Sequence, residues 1–331
     1  MQFVGAAWLS KSVSVAARLG IADILESGPL TVPEIAEKAQ CHAESLERLM
    51  RVLGTFKVFA ATEDGRYANT PVSEPLRTKH PMSMRHFCIL AGEEYYDAWS
   101  GLLHTVKTGE SGFAHVFGGS IYEHMDKNPE TARVYDRAME DLARPVGALL
   151  ARDFDFGGAR KVVDVGGGSG VIVRTLMKFH PQIEGVVLDR EDVVHRAAQS
   201  VNGEFHGRLT FEAGDFFAEV PQGADVYVLK NVLHNWNEES CGRILDSIRT
   251  AMSASGGERK ARLLVIEPLV ERDEVTPRKI MNALFQIVIC EEGTRERTNA
   301  EMSAILDGAG LSVQGMTKLP TGHTVVEAIV N

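Results

Sequence analysis

The stretch that decides the fold is VVDVGGGSGV at residues 162–171. An apolar run enters a glycine-rich turn, and an amphipathic segment follows. Glycine is needed where a backbone turns tightly or approaches a ligand closely. The turn lacks the G-K-[ST] ending of a phosphate-binding P-loop, and Val171 stands where the dinucleotide fingerprint G-x-G-x-x-G has its third glycine. Gly166 and Gly168 instead begin a G-x-G-x-G turn, which predicts a strand, a ligand-binding loop and a helix.

The same pattern continues to the end of the chain, where short apolar runs alternate with amphipathic segments. The expected strands are KVVDVG, GVVLD, LTFEAGD, DVYVLK, RLLVIEP, LSVQGMTK and TVVEAIV. Alternation of β and α segments predicts an α/β fold with a Rossmann-like, doubly wound parallel sheet. Only LPTG separates the last two runs, so we expect them to form an antiparallel hairpin at one edge of the sheet.

The first 95 residues follow a different pattern, with short helices and one hairpin. Helical spacing is seen in SVSVAARLGIADIL and AESLERLMRVLGTF, and TVPEIAEKA begins with a capping box of Thr31 and Glu34. KVFAATEDGRYANT has a hairpin signal at Asp64–Gly65. This order is typical of a winged helix. We therefore expect a mainly α, winged-helix-like domain at 1–95, a helical linker and substrate-pocket segment at 96–152, and a ligand-binding α/β domain at 153–331.

Charge and composition exclude several classes of function. The net charge of −10 argues against nucleic acid or an anionic membrane as partner. Within the first 95 residues, Glu44 and Glu47 lie where a recognition helix would read bases, so dimerisation or a substrate lid is favoured over DNA binding. Four widely spaced cysteines predict neither a disulfide framework nor a zinc site. Without a secretory signal or a membrane-spanning run, we expect a soluble, cytoplasmic protein.

Polar and aromatic residues end several of the expected strands. Asp189 ends the second strand, where a carboxylate can accept hydrogen bonds from both hydroxyls of a ribose. Asp215 and Phe216 follow the third strand and offer an acceptor for an exocyclic amine beside an aromatic face for a purine. Lys230 ends the fourth. Open α/β sheets bind ligands at this edge. The set predicts an adenosine-containing ligand without a pyrophosphate.

These motifs in this order resemble the class I S-adenosylmethionine (SAM)-dependent methyltransferases. The motifs are DVGGGSG, Asp189, GDFF, VLKNVLHNWNEE, VIEP and RERTNAEM. More narrowly, the chain is similar, over nearly its whole length, to small-molecule O-methyltransferases of the plant caffeate type and their bacterial natural-product relatives. The resemblance implies a homodimer formed through the N-terminal domain, a small aromatic substrate and no metal. It also implies SAM as cofactor, held by Gly166, Gly168, Asp189, Asp215, Phe216 and Lys230, with S-adenosylhomocysteine (SAH) as product.

The segment VLHNWNEE carries the expected catalytic residue. A lone histidine at the end of a strand is most often a packed structural residue, but the resemblance implies that His234 is a general base. Glu267 and Glu296 would be its supporting carboxylates, and the assignment of Glu296 rests mostly on the resemblance. Trp236 either packs on the adenine or anchors the loop.

Three segments depart from the family pattern. Asn235 and Asn237 replace the usual aspartates, and Asn237 is expected to cap the following helix as well as an aspartate would. DRED replaces aspartate-leucine-proline after the ribose position. The segment MNALFQIVICEEG is unlike the corresponding segment of the plant enzymes. Because this segment lines the acceptor pocket in the family, a plant phenylpropanoid is not the expected acceptor.

The leading functional hypothesis is methyl transfer from SAM to a phenolic hydroxyl of a small aromatic secondary metabolite. Transfer to nitrogen or carbon is an alternative, as is non-methylating chemistry in a SAM-binding homologue. A regulatory protein that binds SAM or another nucleoside without turnover is the alternative from a different class. The sequence does not identify the methyl acceptor.

Overall fold

The computed structural model describes residues 2–201, 203, 205, 207–254, 260–271 and 276–331. The chain forms two compact units. Unit 1 comprises the chain up to Asp97 together with Asn128–Leu142, and unit 2 comprises Ala98–Lys127 and Ala143–Asn331. The domain boundaries predicted near residues 95 and 152 stay a prediction.

Unit 1 is mainly helical, with a small three-stranded antiparallel sheet of order β1-β3-β2. Its strands are β1 (Leu30–Thr31), β2 (Phe59–Ala61) and β3 (Arg66–Asn69). Its helices are α1 (Gln2–Arg18), α2 (Ile21–Ile24), α3 (Val32–Ala39), α4 (Ala43–Thr55), α5 (Arg85–Gly92) and α6 (Glu94–Ala98), with a 3₁₀ turn at Glu74–Leu76. The hairpin of β2 and β3 confirms the turn predicted at Asp64–Gly65.

Local sequence explains where the helices of unit 1 begin and end. Thr31 and Glu34 form the predicted capping box at the start of α3. The helix predicted over SVSVAARLGIADIL is instead broken, because Gly20 adopts the left-handed conformation with φ of 68° between α1 and α2.

Unit 2 contains the large sheet and the helices that cover it. Its strands are β4 (Lys161–Val165), β5 (Glu184–Asp189), β6 (Leu209–Ala213), β7 (Val226–Lys230), β8 (Arg262–Glu267), β9 (Leu311–Lys318) and β10 (Thr324–Val330). The helices before β4 are α7 (Leu102–Thr108), α8 (Gly112–Phe117), α9 (Ile121–Lys127) and α10 (Pro129–Asp153), which begins in unit 1; 3₁₀ turns lie at Trp99–Gly101 and Leu233–Asn235. The later helices are α11 (Val171–Phe179), α12 (Glu191–Ser200), α13 (Glu238–Ser253), α14 (Pro277–Ile289) and α15 (Asn299–Gly308).

The order of strands in this sheet is β6-β5-β4-β7-β8-β10-β9. The pairs among β6, β5, β4, β7 and β8 are parallel, whereas β10 runs antiparallel to both β8 and β9. This confirms the Rossmann-like sheet and the antiparallel hairpin at its edge. Successive strands are added on one side of β4 as far as β6 and then on its other side from β7, so the strand order reverses at β4. The carboxyl ends of the parallel strands β5, β4 and β7 therefore lie side by side, which is where doubly wound folds bind ligands.

Both faces of the strands β4, β5, β7 and β8 are buried, which explains why these strands are nearly continuous apolar runs. Val163 and Val165 of β4 pack in one core cluster with α13, and Val162 packs in the other cluster with α11. Side chains of a strand alternate between faces, so neighbouring valines belong to different layers. Among the described helices, none combines the length and apolar character needed to cross a membrane.

Candidate active site

The glycine turn follows β4 and is fixed to the neighbouring strand. The backbone N–H groups of Gly166 and Gly167 both donate to the carbonyl of Leu188, at 2.8 and 3.3 Å. Gly168 has a φ of 57°, and a Cβ built on it would meet no atom within 4 Å. The turn therefore holds a left-handed backbone with an open side that a side chain would fill.

Asp189, at the end of β5, lies against this turn. Its Oδ2 accepts a hydrogen bond from the N–H of Gly168 at 2.8 Å, and its Oδ1 accepts from the N–H of Arg190 at 2.8 Å. The half-buried carboxylate is thus held in one orientation beside the open side of the glycine turn.

Phe216 approaches the turn from the end of β6. A Cβ built on Gly166 would lie 3.5 Å from the Cε1 of Phe216 and 3.1 Å from a methyl of Val232. Asp215 precedes Phe216, is exposed, and accepts a hydrogen bond at Oδ1 from the N–H of Phe217 at 2.9 Å. Gly166, Gly168, Asp189 and Phe216 are therefore brought together, with Asp215 at the rim.

Two titratable groups lie at the strands of this edge: Asp164 is buried and Lys230 is half-buried. Burial lowers the pKa of Lys230 to about 8, against the opposing charges of Glu267 and Asp164. Burial, with a contribution from the charge of Asp189, raises the pKa of Asp164 in β4 to about 7. Asp164 was not among the predicted site residues; its only sequence signal is a carboxylate inside the apolar run VVDV. Its Oδ2 has no hydrogen-bond partner among the described residues.

His234 lies in the 3₁₀ turn that follows β7 and is paired with Glu267 at the end of β8. The Nδ1 of His234 is 2.6 Å from the Oε2 of Glu267, and the N–H of His234 donates to Oε1 at 3.4 Å. The side chain of Glu267 is 1% exposed and that of His234 22%. Burial raises the pKa of Glu267, but the charge and hydrogen bonds of His234 outweigh burial and leave that pKa lowered.

The pair fixes the state of the imidazole. An ionised carboxylate only accepts hydrogen bonds, so Nδ1 carries a hydrogen, and in the neutral imidazole the lone pair is therefore on Nε2. This arrangement can hold a proton at Nε2 while Glu267 stabilises the resulting imidazolium.

Arg297 holds the backbone of the same turn and was missed by the sequence reasoning. Its Nη1 donates to the carbonyl of Leu233 and its Nη2 to the carbonyl of Trp236, each at 2.7 Å. The thiol of Cys241 lies 3.3 and 3.5 Å from the same two oxygens. Arg297 is 3% exposed. Sequence alone does not distinguish it from Arg295, which forms surface ion pairs with Glu238 and Glu301.

The structure does not join Glu296 to the pair. Among the described residues, no hydrogen bond or ion pair links Glu296 to His234; burial raises the pKa of Glu296 and the charge of Lys279 opposes this. Asn237 caps α13 through a 2.9 Å hydrogen bond from the N–H of Ser240, which confirms the predicted capping. Trp236 packs edge-on against Phe217, with ring centroids 4.8 Å apart.

Comparison with known proteins decides the family. Residues 99–312 match the model of the O-methyltransferase domain, and residues 1–79 match that of the O-methyltransferase dimerisation domain. The chain belongs to the O-methyltransferase family. It is a methyltransferase enzyme of secondary metabolism, which confirms the resemblance and the predicted enzyme class. Membership of an enzyme family favours a methyltransferase over a regulatory protein without turnover.

Relatives of the methyltransferase include enzymes of both O- and N-methylation. A phenazine O-methyltransferase of Lysobacter antibioticus is 33% identical over 330 residues, which are 99% of this chain and 94% of the relative. A phenazine-1-carboxylate N-methyltransferase of Pseudomonas aeruginosa is 33% identical over 330 residues, which are 99% of this chain and 96% of the relative.

A solved structure extends the comparison to bound molecules. It is an O-methyltransferase of neocarzinostatin biosynthesis in complex with SAM and 2-hydroxy-5-methyl naphthoic acid. The methyltransferase is 29% identical to it, with a TM-score of 0.77, and the match covers 97% of this chain and 96% of the other.

The geometry of the methyltransferase fits a nucleoside cofactor at the glycine turn. The open side of Gly168, the oriented carboxylate of Asp189 and the ring of Phe216 lie around one edge of the sheet. Where the structure describes the chain, no group of three or more His, Cys, Asp or Glu side chains could hold a metal ion. The expectation that no metal is needed stays a prediction.

Proposed function

We propose that this methyltransferase transfers the methyl group of SAM to a phenolic hydroxyl of a small aromatic metabolite, with His234 as general base. The observation that carries the proposal is the pair formed by half-buried His234 and buried Glu267 at the sheet edge that also bears the glycine turn. A base at this position serves an acceptor whose proton must be removed, as a hydroxyl requires.

The proposed cofactor residues would each bind a different part of SAM. Gly166 and Gly168 would hold the methionyl end, Asp189 the ribose, and Asp215 with Phe216 the adenine; Lys230 belongs to the same set. When bound, SAM supplies a methyl group that is already activated by a positively charged sulfur, so the proposal includes no metal.

The contribution of His234 is proton removal. A phenol has a pKa near ~10 and is mostly protonated at neutral pH. The Nε2 of His234 would accept this proton as the oxygen becomes a nucleophile, and a positioned base of this kind contributes roughly 10²–10⁴ in rate. Glu267 keeps the imidazole oriented and stabilises its positive charge. We keep Glu296 as a second supporting carboxylate, a role that needs a rearrangement toward His234.

The acceptor class and the assembly are part of the proposal. The relatives include a phenazine O-methyltransferase and an O-methyltransferase in complex with a naphthoic acid, which supports a small aromatic acceptor with fused rings. The match to the dimerisation domain supports a homodimer. The widely spaced free cysteines support a reducing, cytoplasmic location.

Transfer to nitrogen is the second candidate, because one relative of equal identity is an N-methyltransferase. An aromatic nitrogen with a free lone pair needs no base, and this difference separates the two candidates. Transfer to carbon and non-methylating chemistry have no comparable support.

The test is methyl transfer from labelled SAM to matched fused-ring aromatics that carry either a hydroxyl group or a ring nitrogen. The proposal expects label in the hydroxyl-bearing acceptors and an ether product by mass spectrometry. Transfer to the ring-nitrogen acceptors alone would overturn the assignment to oxygen. Failure of the enzyme to bind SAM or SAH in calorimetry would overturn the whole proposal.

A further inference from the structure

A single arginine connects α9 to the end of β5. Arg190 directly follows Asp189, and its Nη1 lies 2.6 Å from the Oδ1 of Asp126 in α9. Its guanidinium carbon lies 5.5 Å from the ring centroid of Tyr122, also in α9. The other end of the guanidinium, Nη2, is 3.7 Å from the carboxylate of Asp192. Arg190 is thus an ion-pair and cation–π partner of the same short helix.

The same helix is also connected to the end of β7. The ring of Tyr122 stacks on that of Trp236, with centroids 5.9 Å apart and an interplanar angle of 10°. Trp236 follows the turn that carries His234. Tyr122 therefore contacts the loop after β7, while Arg190, which follows β5, contacts the same helix.

The strand order places the glycine turn between the two contacts of α9, the one with Arg190 and the one with Trp236. β4 lies between β5 and β7, and its carboxyl end leads directly into Gly166 and Gly168. A helix that contacts residues after β5 and after β7 spans the end of the strand between them. α9 therefore crosses the edge at which the cofactor is proposed to bind.

Arg190 belongs to the segment DRED, which departs from the family pattern and has no role in the proposed chemistry. An apolar side chain at this position could not form the ion pair with Asp126. The pair is partly exposed, with side chains 32% and 53% accessible, so it is weak and sensitive to salt. A weak contact of this kind can break and re-form when the cofactor exchanges.

We propose that Arg190 is a positioning residue of the cofactor site: it fastens α9 across the glycine turn and thereby slows exchange of SAM and SAH. The inference rests on the proposed function, because it concerns the same cofactor. Arg190 acts through α9 and takes no part in methyl transfer. Its effect therefore appears in the rate of cofactor dissociation and in the dependence of that rate on salt.

The experiment measures the dissociation rate of SAH from the full-length enzyme by stopped-flow displacement with excess SAM. Arg190→Leu and Asp126→Asn should each raise this rate about three- to tenfold, as expected for loss of a partly exposed ion pair and a cation–π contact. The double variant should be no faster than the faster single variant. Raising ionic strength should accelerate dissociation from the wild type and have little effect on Arg190→Leu.

Arg196→Leu is the matched control, since Arg196 pairs at 2.8 Å with the same Asp192 from one turn further along α12. It should leave the SAH dissociation rate unchanged, and thermal denaturation should show that all the variants are folded. An unchanged rate in Arg190→Leu, or fully multiplicative effects of the two single variants, would overturn the inference and leave the proposed function intact. A wild-type enzyme that does not bind SAH would overturn both.

Discussion

At the scale of single residues, the position of His234 is determined by two buried charged side chains, those of Glu267 and Arg297. A buried charge is unfavourable unless hydrogen bonds or an opposite charge compensate it. Glu267 has the imidazole as its compensation, whereas Arg297 donates to two backbone carbonyls. The first contact orients the ring and the second fixes the turn that carries the ring.

Replacing Arg297 should separate these two effects. Arg297→Met leaves the carbonyls of Leu233 and Trp236 with the thiol of Cys241 as their remaining side-chain donor. We expect the free energy of unfolding to fall by about 1–3 kcal/mol and kcat to fall about tenfold or more. Cofactor affinity, measured by calorimetry, should change little because the glycine turn is not touched.

The control for this variant is Arg295→Met, which removes only surface ion pairs. Its kcat should equal that of the wild type. Arg297→Lys should recover part of the loss, since one ammonium can reach one of the two carbonyls. If Arg297→Met keeps full kcat, Arg297 does not position the base.

At the scale of elements, the large sheet was predictable and several long-range contacts were not. All seven predicted strands are present as β4 to β10. The signal is strongest for β4, β5, β7 and β8, because strands that are buried on both faces are apolar at nearly every position. The helix break at Gly20 depends on the local backbone conformation, and the two-residue β1 depends on pairing with β3. The helical spacing of apolar residues predicts neither feature.

The same limit applies to the site. Residues at strand ends were predictable because topology alone brings strand ends together. The hydrogen bonds of Arg297 and the contacts of α9 join segments that are distant in sequence, so no local pattern reports them. The resemblance supplied Glu267 and Glu296 together, but among the described contacts only that of Glu267 is a hydrogen bond with His234.

Asp164 makes the sheet itself sensitive to pH. Its pKa is about 7 in the folded protein, above the ordinary 3.8, so the folded state binds this proton more tightly than the unfolded state. The associated stability is fully present below about pH 4 and is lost as pH rises through about 7, on the order of a few kcal/mol. Asp164→Asn should remove this part of the pH dependence.

Urea denaturation at several pH values between 4 and 8 measures the effect. The free energy of unfolding of the wild type should fall relative to that of Asp164→Asn as pH rises across this interval. Parallel curves for the two proteins would mean that Asp164 has the same pKa in the folded and unfolded states.

At the scale of the whole molecule, the candidate site exists only when the sheet is assembled, because its residues come from the ends of β4, β5, β6, β7 and β8. A ligand that binds only the folded state stabilises it by mass action, by about 2.7 kcal/mol at a concentration one hundred times Kd. We therefore expect SAH to raise the Tm of the wild type. Asp189→Ala should lower the Tm of the free enzyme modestly, through loss of its hydrogen bonds with the N–H groups of Gly168 and Arg190, and should lose most of the rise with SAH.

Differential scanning calorimetry with and without SAH measures both quantities. An equal rise in Tm for the wild type and Asp189→Ala would contradict the assignment of Asp189 to the ribose. Glu212→Ala, in the strand that pairs with β5, is a control for nonspecific effects of removing a carboxylate near the site.

The most direct test of the account is the single-turnover rate of methyl transfer in His234→Ala with two kinds of acceptor. With an ordinary phenol, the rate should fall roughly 10²–10⁴-fold while the Kd of SAH is unchanged. With a phenol acidic enough to be ionised at the assay pH, the loss should be much smaller, because no proton has to be removed. His195→Ala, on the surface of α12, should behave as the wild type. An unchanged rate with the ordinary phenol, or equal losses with both acceptors, would contradict the role of His234 as general base.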